Sequence, residues 1–314
     1  MTDTDPTGER RILLLAHTGR EEARDVAGAV VASLLDHGLS VRLLEDEAKE
    51  LDLPAHEGVE AVALEDLEPT ECELALVIGG DGTILRAAEI THGTRTPLLG
   101  VNLGHVGFLA EAESEDVERM IELVVAREYT SEERLTVDVN VYRDKELVES
   151  TWALNEASIE KAARQRMLEV VVEVDGRPLS RFGCDGVVCA TPTGSTAYNF
   201  SAGGPIVWPG VEALLMVPIS AHALFARPMV VAPTSVLAVE VLAQTEGAGV
   251  LWCDGRRTVE LPPGARIEVR RGRTPIRLVR LHRAPFTDRL VAKFGLSVDG
   301  WRGSAERRKR SGDR

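Results

Sequence analysis

Five apolar residues, Leu74-Ala75-Leu76-Val77-Ile78, run straight into Gly79-Gly80-Asp81-Gly82-Thr83. An uninterrupted apolar run this short, ending in glycines, reads as a strand buried on both faces, the kind found in parallel sheets covered by helices. Helical spacing resumes over 83–92 and stops at Gly93. Strand, glycine turn and helix in that order point to a βα unit of an α/β domain. The glycines let the backbone bend sharply and approach a ligand closely. The helix that follows offers unsatisfied N–H groups and the positive end of its dipole, both suited to phosphate. In open α/β sheets the ligand site lies at the C-terminal ends of the strands, where this turn belongs. Asp81 can serve there as a general base or a metal ligand; the purely structural alternative is a tight turn with Asp81 as helix N-cap.

The neighbouring sequence repeats the unit. An apolar run over 11–16 precedes Ala23, Ala27, Val30, Val31 and Leu34 at helical spacing, with Gly38 as the stop. Strand-like 40–44 and 97–101 and helical 114–127 complete the alternation. This order predicts a doubly wound, Rossmann-like α/β N-terminal domain over 1–130. Beyond it, strand-like segments at 136–142, 168–175, 236–242, 266–270 and 276–281 are separated by turn signals such as Asp175-Gly176 and Asp254-Gly255. They predict a β-rich, antiparallel, sandwich-like domain over 131–289. The segment 290–314 is expected to pack back on the first domain, with 303–314 frayed.

Two domains suit a chain of 314 residues. A net charge of −14 argues against a general nucleic-acid binder. The charge is uneven, however: residues 251–314 hold 17 Lys or Arg against 7 Asp or Glu. That basic fifth is a tail, a nucleic-acid patch or a face for a phosphorylated ligand. Cys72, Cys184, Cys189 and Cys253 form no Cys-x-x-Cys pair and read as reduced, buried residues. The N-terminus carries no apolar signal region, and no run of about 18 apolar residues occurs. A cytoplasmic protein with no membrane span is expected.

Two familiar phosphate motifs are missing. Gly-Lys occurs nowhere, so there is no Walker A loop, and no Gly-x-Gly-x-x-Gly follows a strand. A second glycine-rich region, Asp185-Gly186 through Thr191-Pro192-Thr193-Gly194-Ser195-Thr196-Ala197-Tyr198-Asn199-Phe200-Ser201 to Gly203-Gly204-Pro205, is dense in hydroxyls that suit ribose, phosphate or an adenine edge. Its alternative is a hydroxyl-rich surface turn. Asn155-Glu156 interrupts strand-like 151–159, either to grip a ligand or as a strand end or bulge. His222, taken alone, is a weak signal, since a lone His is more often structural.

In combination, Gly-Gly-Asp-Gly-Thr, Asn-Glu, Asp-Gly, Thr-Pro-Thr-Gly-Ser-Thr-Ala-Tyr, Ser-Ala-Gly-Gly-Pro and His-x-Leu-x-x-Arg-Pro, in this order, closely resemble the NAD kinase family. The resemblance runs from about residue 11 to about 301. The first motif is shared with diacylglycerol kinases; the stretch from Thr191 to Tyr198 is far more specific. The resemblance implies transfer of the γ-phosphoryl of ATP, possibly of polyphosphate, to the 2′-hydroxyl of the adenosine ribose of NAD, with Mg²⁺ or Mn²⁺ accompanying ATP. It implies Asp81 as general base and Gly79, Gly80, Gly82 and Thr83 as phosphate contacts, with Gly82 and Arg86 near NAD. Asn155 and Glu156 would contact adenosine and Asp185 the dinucleotide. Thr196, Ala197, Tyr198, Asn199, Phe200 and Ser201 would wrap the nucleoside. Arg166 is a further NAD contact, His222 shapes the site, and no metal ligand is assigned. Many members carry Gln after Asp-Gly; here Arg256 and Arg257 stand there, and Arg256 is expected to shape the site or meet a phosphate. His17-Thr18-Gly19-Arg20 replaces an Asn-Pro-type turn. The family implies a dimer or tetramer and an active site between the two domains. The alternatives are a lipid or sphingoid kinase sharing the glycine-Asp loop and a catalytically silent NAD sensor.

Overall fold

A computed structural model describes residues 10–53, 56–104, 107–113, 116–163, 166–245, 247–281 and 285–298. The expected tail at 303–314 lies outside the described residues. The helices are α1 (Glu21–Asp36), α2 (Glu45–Leu51), α3 (Asp81–Thr91), α4 (Val117–Ala126), α5 (Tyr198–Ser201) and α6 (Phe286–Phe294). The chain divides into two compact units, the first drawn from Met1–Ala87, Thr96–Ser131 and Val279–Arg314, the second from Ala88–Arg95 and Glu132–Leu278. The last four residues of α3 therefore group with the β-rich unit, and 279–281 and 285–289 group with the α/β unit.

In the first unit, strands Val59–Val62, Ser40–Leu44, Arg11–Ala16, Leu74–Ile78 and Leu98–Asn102 lie side by side in that order, all parallel. Strand Ile276–Arg280 and then Thr130–Arg134 extend the sheet. The three central strands are buried almost throughout, which explains the apolar runs at 12–16 and 74–78; in Ser40–Leu44 the buried Arg42 is paired with Glu60 and Glu71. Helix α1 buries Ala23, Ala27, Val30, Val31 and Leu34, its predicted face, and the chain turns out at Gly38 with φ +75°. Helix α6 packs on this unit: Phe286 and Phe294 each lie 5.9 Å from the Phe108 ring.

The chain winds outward from Arg11–Ala16 on one side and then crosses to Leu74–Ile78 on the other. The adjacent C-terminal ends of these two strands form the topological switch point, the place where open α/β sheets bind ligands. Gly79 to Thr83 stand there.

The second unit holds two six-stranded antiparallel sheets. One orders Met229–Val231, Leu214–Ile219, Gly186–Ala190, Glu156–Lys161, Gly249–Cys253 and Arg257–Leu261. The other orders Arg177–Cys184, Leu168–Val174, Leu237–Val241, Arg266–Arg271, Val137–Arg143 and Glu146–Ala153. Residues from both, including Val139, Ile159, Val170, Val239, Leu251 and Ile267, make one core. Alternating burial along Val137–Arg143 and Arg266–Arg271 is the mark of strands with one face in that core. All four cysteines are free and buried. Among the described residues no helix is long and apolar enough to cross a membrane.

Candidate functional site

The turn after Leu74–Ile78 is built around Gly79. Its φ is +151°, and a Cβ there would stand 2.4 Å from the Thr83 hydroxyl, so only glycine fits. Its N–H donates to the Val101 carbonyl (2.9 Å), and the His17 N–H donates to that of Ile78 (2.9 Å). Gly80 and Gly82 differ from it: a Cβ on either would meet nothing within 4 Å. Among the described residues no packing calls for glycine at those two positions.

Helix α3 begins at Asp81, two residues before the predicted start. Asp81 is thus inside the first turn, and its side chain reaches sideways instead of capping. Its carboxylate accepts the N–H groups of Phe108 and Leu109, each at 3.3 Å. Gly107 leaves room for it, since a Cβ there would stand 2.5 Å from Asp81 Oδ1. A carboxylate has about four lone-pair positions. Two are committed to backbone and the rest can take a ligand proton. Arg86, expected near NAD, pairs with Glu47, whose other oxygen accepts the Ala16 N–H at 2.8 Å. Burial pushes the Glu47 carboxyl up, opposed by that N–H and by Arg86.

In the second unit Asn155 lies where the chain leaves strand Glu146–Ala153 for strand Glu156–Lys161, passing from one sheet to the other. The polar pair therefore marks a strand boundary. Asp254, in the left-handed Asp254-Gly255 turn, spans the break: its carboxylate accepts the N–H groups of Leu154 (2.9 Å), Asn155 (2.7 Å) and Glu156 (3.3 Å). Thr191 braces the other side, donating its hydroxyl to Leu154 O (2.6 Å) and its N–H to Asn155 O (2.9 Å). Gly194 crosses so tightly that a Cβ would lie 2.0 Å from the Asn155 carbonyl oxygen.

Glu156 is 7% exposed, and burial, reinforced by the charge of Asp254, pushes its carboxyl up to about 8. The Tyr198 N–H partly offsets this by hydrogen bonding to it. Glu156 Oε2 is buried with no hydrogen-bond partner among the described residues. A buried polar atom without a partner is costly and is a natural place for a ligand to bond.

The turn from Thr196 to Ser201 is mixed. Tyr198, Phe200 and Ser201 are exposed. Ser195 and Asn199 are fully buried; the Asn199 amide donates to the Ser195 and Pro205 carbonyls, both at 3.1 Å. The side chain of Asn199 thus holds the turn together, and Gly204 makes room for it. Asp185 forms a separate group: Lys161 pairs with it and holds its carboxyl below the usual range, helped by Ser220 and His222. The His222 N–H donates to the Gly183 carbonyl (2.8 Å). Arg166 is exposed beside Gly247. Arg256 pairs with Glu89 of α3 at 3.0 Å.

The sequence pattern of the ATP-NAD kinase N-terminal domain matches residues 12–129, and that of the C-terminal domain matches residues 154–281. "NAD kinase 2" of Streptomyces coelicolor is 62% identical over 296 residues, covering 94% of this chain and 97% of that one. This chain belongs to the NAD kinase family. The NAD kinase of Thermobifida fusca is 59% identical over 311 residues, covering 96% of this chain and 94% of that one. Among solved structures, yeast NADH kinase complexed with NADH superposes with a TM-score of 0.84 at 24% identity, covering 93% of this chain and 89% of that one. An NAD kinase from Archaeoglobus fulgidus in complex with ATP gives 0.64 at 24% identity, covering 91% and 98%. At that identity the likeness concerns the fold. The matches do not favour a lipid kinase or a silent sensor.

Within the NAD kinase motifs, the sequence pointed to Asp81, Asn155 and Glu156 but missed what holds them. The Phe108 and Leu109 amides have no side-chain signature. Glu47 sits in an ordinary helical stretch. Asp254 read as a turn residue, and Thr191 as one hydroxyl among many. Only pairing across long sequence separation reveals these supports.

Proposed function

We propose that this NAD kinase transfers the γ-phosphoryl of ATP to the 2′-hydroxyl of the adenosine ribose of NAD, with Asp81 as general base. One observation carries the reading: Asp81 stands at the switch point, anchored by two backbone amides, between two glycines that no packing among the described residues requires. A ribose hydroxyl is a weak acid and a poor nucleophile. A fixed carboxylate accepts its proton while the oxygen bonds to phosphorus and ADP departs, a contribution of about 10²–10⁴-fold. The N–H groups of Thr83 and Ile84 donate to the Gly80 carbonyl, at 2.9 and 3.2 Å, so the N–H groups at Asp81 and Gly82 and the open backbone at Gly80 are the ones that receive phosphate oxygens.

Asn155, Glu156 and the turn carrying Thr196 and Tyr198 hold the adenosine of NAD in this reading. The unpartnered Glu156 Oε2 supports it, because a ligand hydroxyl or amino group would satisfy an otherwise orphaned atom. Asp185, Arg166, His222 and Arg256 are assigned outer contacts. Among the described residues no group of three or more His, Cys, Asp and Glu side chains forms a metal cage. The residues present thus suit a divalent cation that arrives on the triphosphate, where it neutralises phosphate charge. Leu224, Phe225 and Val230 are exposed, which supports burial against another copy in a dimer or tetramer. Four buried thiols support a cytoplasmic location.

The test is purified protein with ATP, Mg²⁺ and NAD, reading NADP with an NADP-specific dehydrogenase. Absence of NADP across metals and donors, polyphosphate included, sinks the proposal.

A further inference from the structure

The last turn of α3 is tied to the 254–257 turn by a network that no sequence motif marks. Glu89 Oε1 pairs with Arg257 Nη1 at 2.5 Å and with Arg256 Nε at 3.0 Å. The Nη2 group of Arg257 donates to the Trp152 carbonyl (2.8 Å) and to Asp254 Oδ2 (3.1 Å). Its guanidinium carbon lies 4.5 Å from the centroid of the Trp152 ring, which stacks on His92 at 3.8 Å with 6° between planes. Asp254 in turn grips the N–H groups of Leu154, Asn155 and Glu156.

We propose that Arg257 is a positioning residue for the phosphoryl transfer, setting the backbone at Asn155 and Glu156 through Asp254 and the end of α3 through Glu89. It touches neither substrate. The proposal rests on the reading that Asn155 and Glu156 hold adenosine and that Asp81, the first residue of α3, is the base. Arg256 shares Glu89, but among the described residues its side chain meets that one carboxylate. Arg257 instead links a helix, the carbonyl of one strand end and a buried carboxylate. A planar fork with separate nitrogens can reach three acceptors and lie against an indole at once; an ammonium cannot. Asp254 explains why one cation matters here. Its side chain is 2% exposed, and among the described residues Arg257 is its one side-chain partner beside the three amides. A buried carboxylate stripped of its cation shifts or draws in water, and the three amides follow it.

The experiment uses the full chain with Arg257→Met, Arg257→Lys, Glu89→Gln, the Arg257→Met/Glu89→Gln double variant and Asn155→Ala. Arg271→Met, which removes an exposed pair to Glu212, is the control. kcat and the separate KM values for NAD and ATP are measured well below each variant's unfolding temperature. Arg257→Met is expected to raise KM for NAD about tenfold or more and to lower kcat, with KM for ATP changing about threefold at most. Glu89→Gln is expected to lower kcat with little effect on KM for NAD, and the double variant to match Arg257→Met in kcat, because the pair acts as a unit. Arg257→Lys restores the charge and not the fork, so KM for NAD stays raised. Unchanged kcat and KM in Arg257→Met, or full recovery in Arg257→Lys, overturns the proposal. If Asn155→Ala also leaves KM for NAD unchanged, the adenosine assignment fails; if it raises KM while Arg257→Met does not, only the positioning role fails.

Discussion

Replacing Gly82 by Ala separates stability from catalysis. Gly82 is exposed in the first turn of α3, its φ is not positive, and a Cβ would meet nothing within 4 Å. The new methyl therefore costs the folded state no packing. It also narrows the unfolded ensemble, which at a compatible site stabilises by about 0.4–1 kcal/mol. For a protein of this size that raises Tm by about 1–4 °C. Catalysis moves the other way if phosphate oxygens approach this backbone. An oxygen accepting an N–H at about 2.9 Å cannot share that space with a methyl carbon, which needs about 3.5 Å. Losing one charge-assisted hydrogen bond of about 1.5–3 kcal/mol corresponds to a loss in kcat/KM of about 10- to 100-fold. Calorimetry gives Tm, and NADP formation at varied ATP and NAD gives the kinetics. Wild-type kinetics with a raised Tm would refute phosphate approach at this glycine. A lowered Tm would refute the claim that its space is open.

Asp81→Asn should reduce kcat by about 10²–10⁴-fold with little change in either KM, since an amide cannot take the ribose proton; wild-type turnover removes Asp81 from the mechanism. Gly194→Ala places a carbon 2.0 Å from the Asn155 carbonyl oxygen, so the strand break or the turn must move. A stability loss of about 1–3 kcal/mol in denaturant titration and a raised KM for NAD are expected, and normal values for both would contradict the packing described. Glu156 holds a proton in the folded state up to about pH 8 that the unfolded chain releases near 4.5. Its contribution to stability is therefore present at low pH and is lost as pH rises through that window. Glu156→Gln should gain Tm relative to the wild type between pH 5 and pH 8, and a pH-independent difference would show that this carboxyl is not protonated there.

The charge asymmetry has a structural resolution. Arg266 meets Glu173 and Glu268, Arg271 meets Glu212, Arg277 meets Glu133, and Arg280 and Arg289 both meet Glu111. Among the described residues, the arginines of this basic stretch are spent largely on carboxylates contributed by earlier sequence. The −14 total hides this pairing. The arginines of the 251–281 stretch thus read as internal partners of acidic residues, and a nucleic-acid patch is not needed to account for them.

By itself the sequence determined the local elements and the chemistry-bearing motifs. Apolar runs at 11–16 and 74–78 specify buried strands because they have no polar face to expose, and alternation at Val137–Arg143 specifies a strand with one face in a core. Gly79 was legible because only glycine tolerates that turn, and Asn155-Glu156 because two polar residues break a β pattern. Tertiary structure alone decided what each of these meets. The placement of the Asp81 carboxylate depends on amides from 108 and 109, and Arg86 turns to Glu47 because a buried carboxylate there needs a cation. Asn199 turns inward because its amide bridges two carbonyls of its own turn. The Glu156 carboxyl is raised by burial and then by the charge of Asp254, 98 residues away in sequence. Local propensity acts within a few residues along the chain, whereas desolvation and ion pairing act within a few ångströms in space, so no reading of neighbours in sequence supplies them.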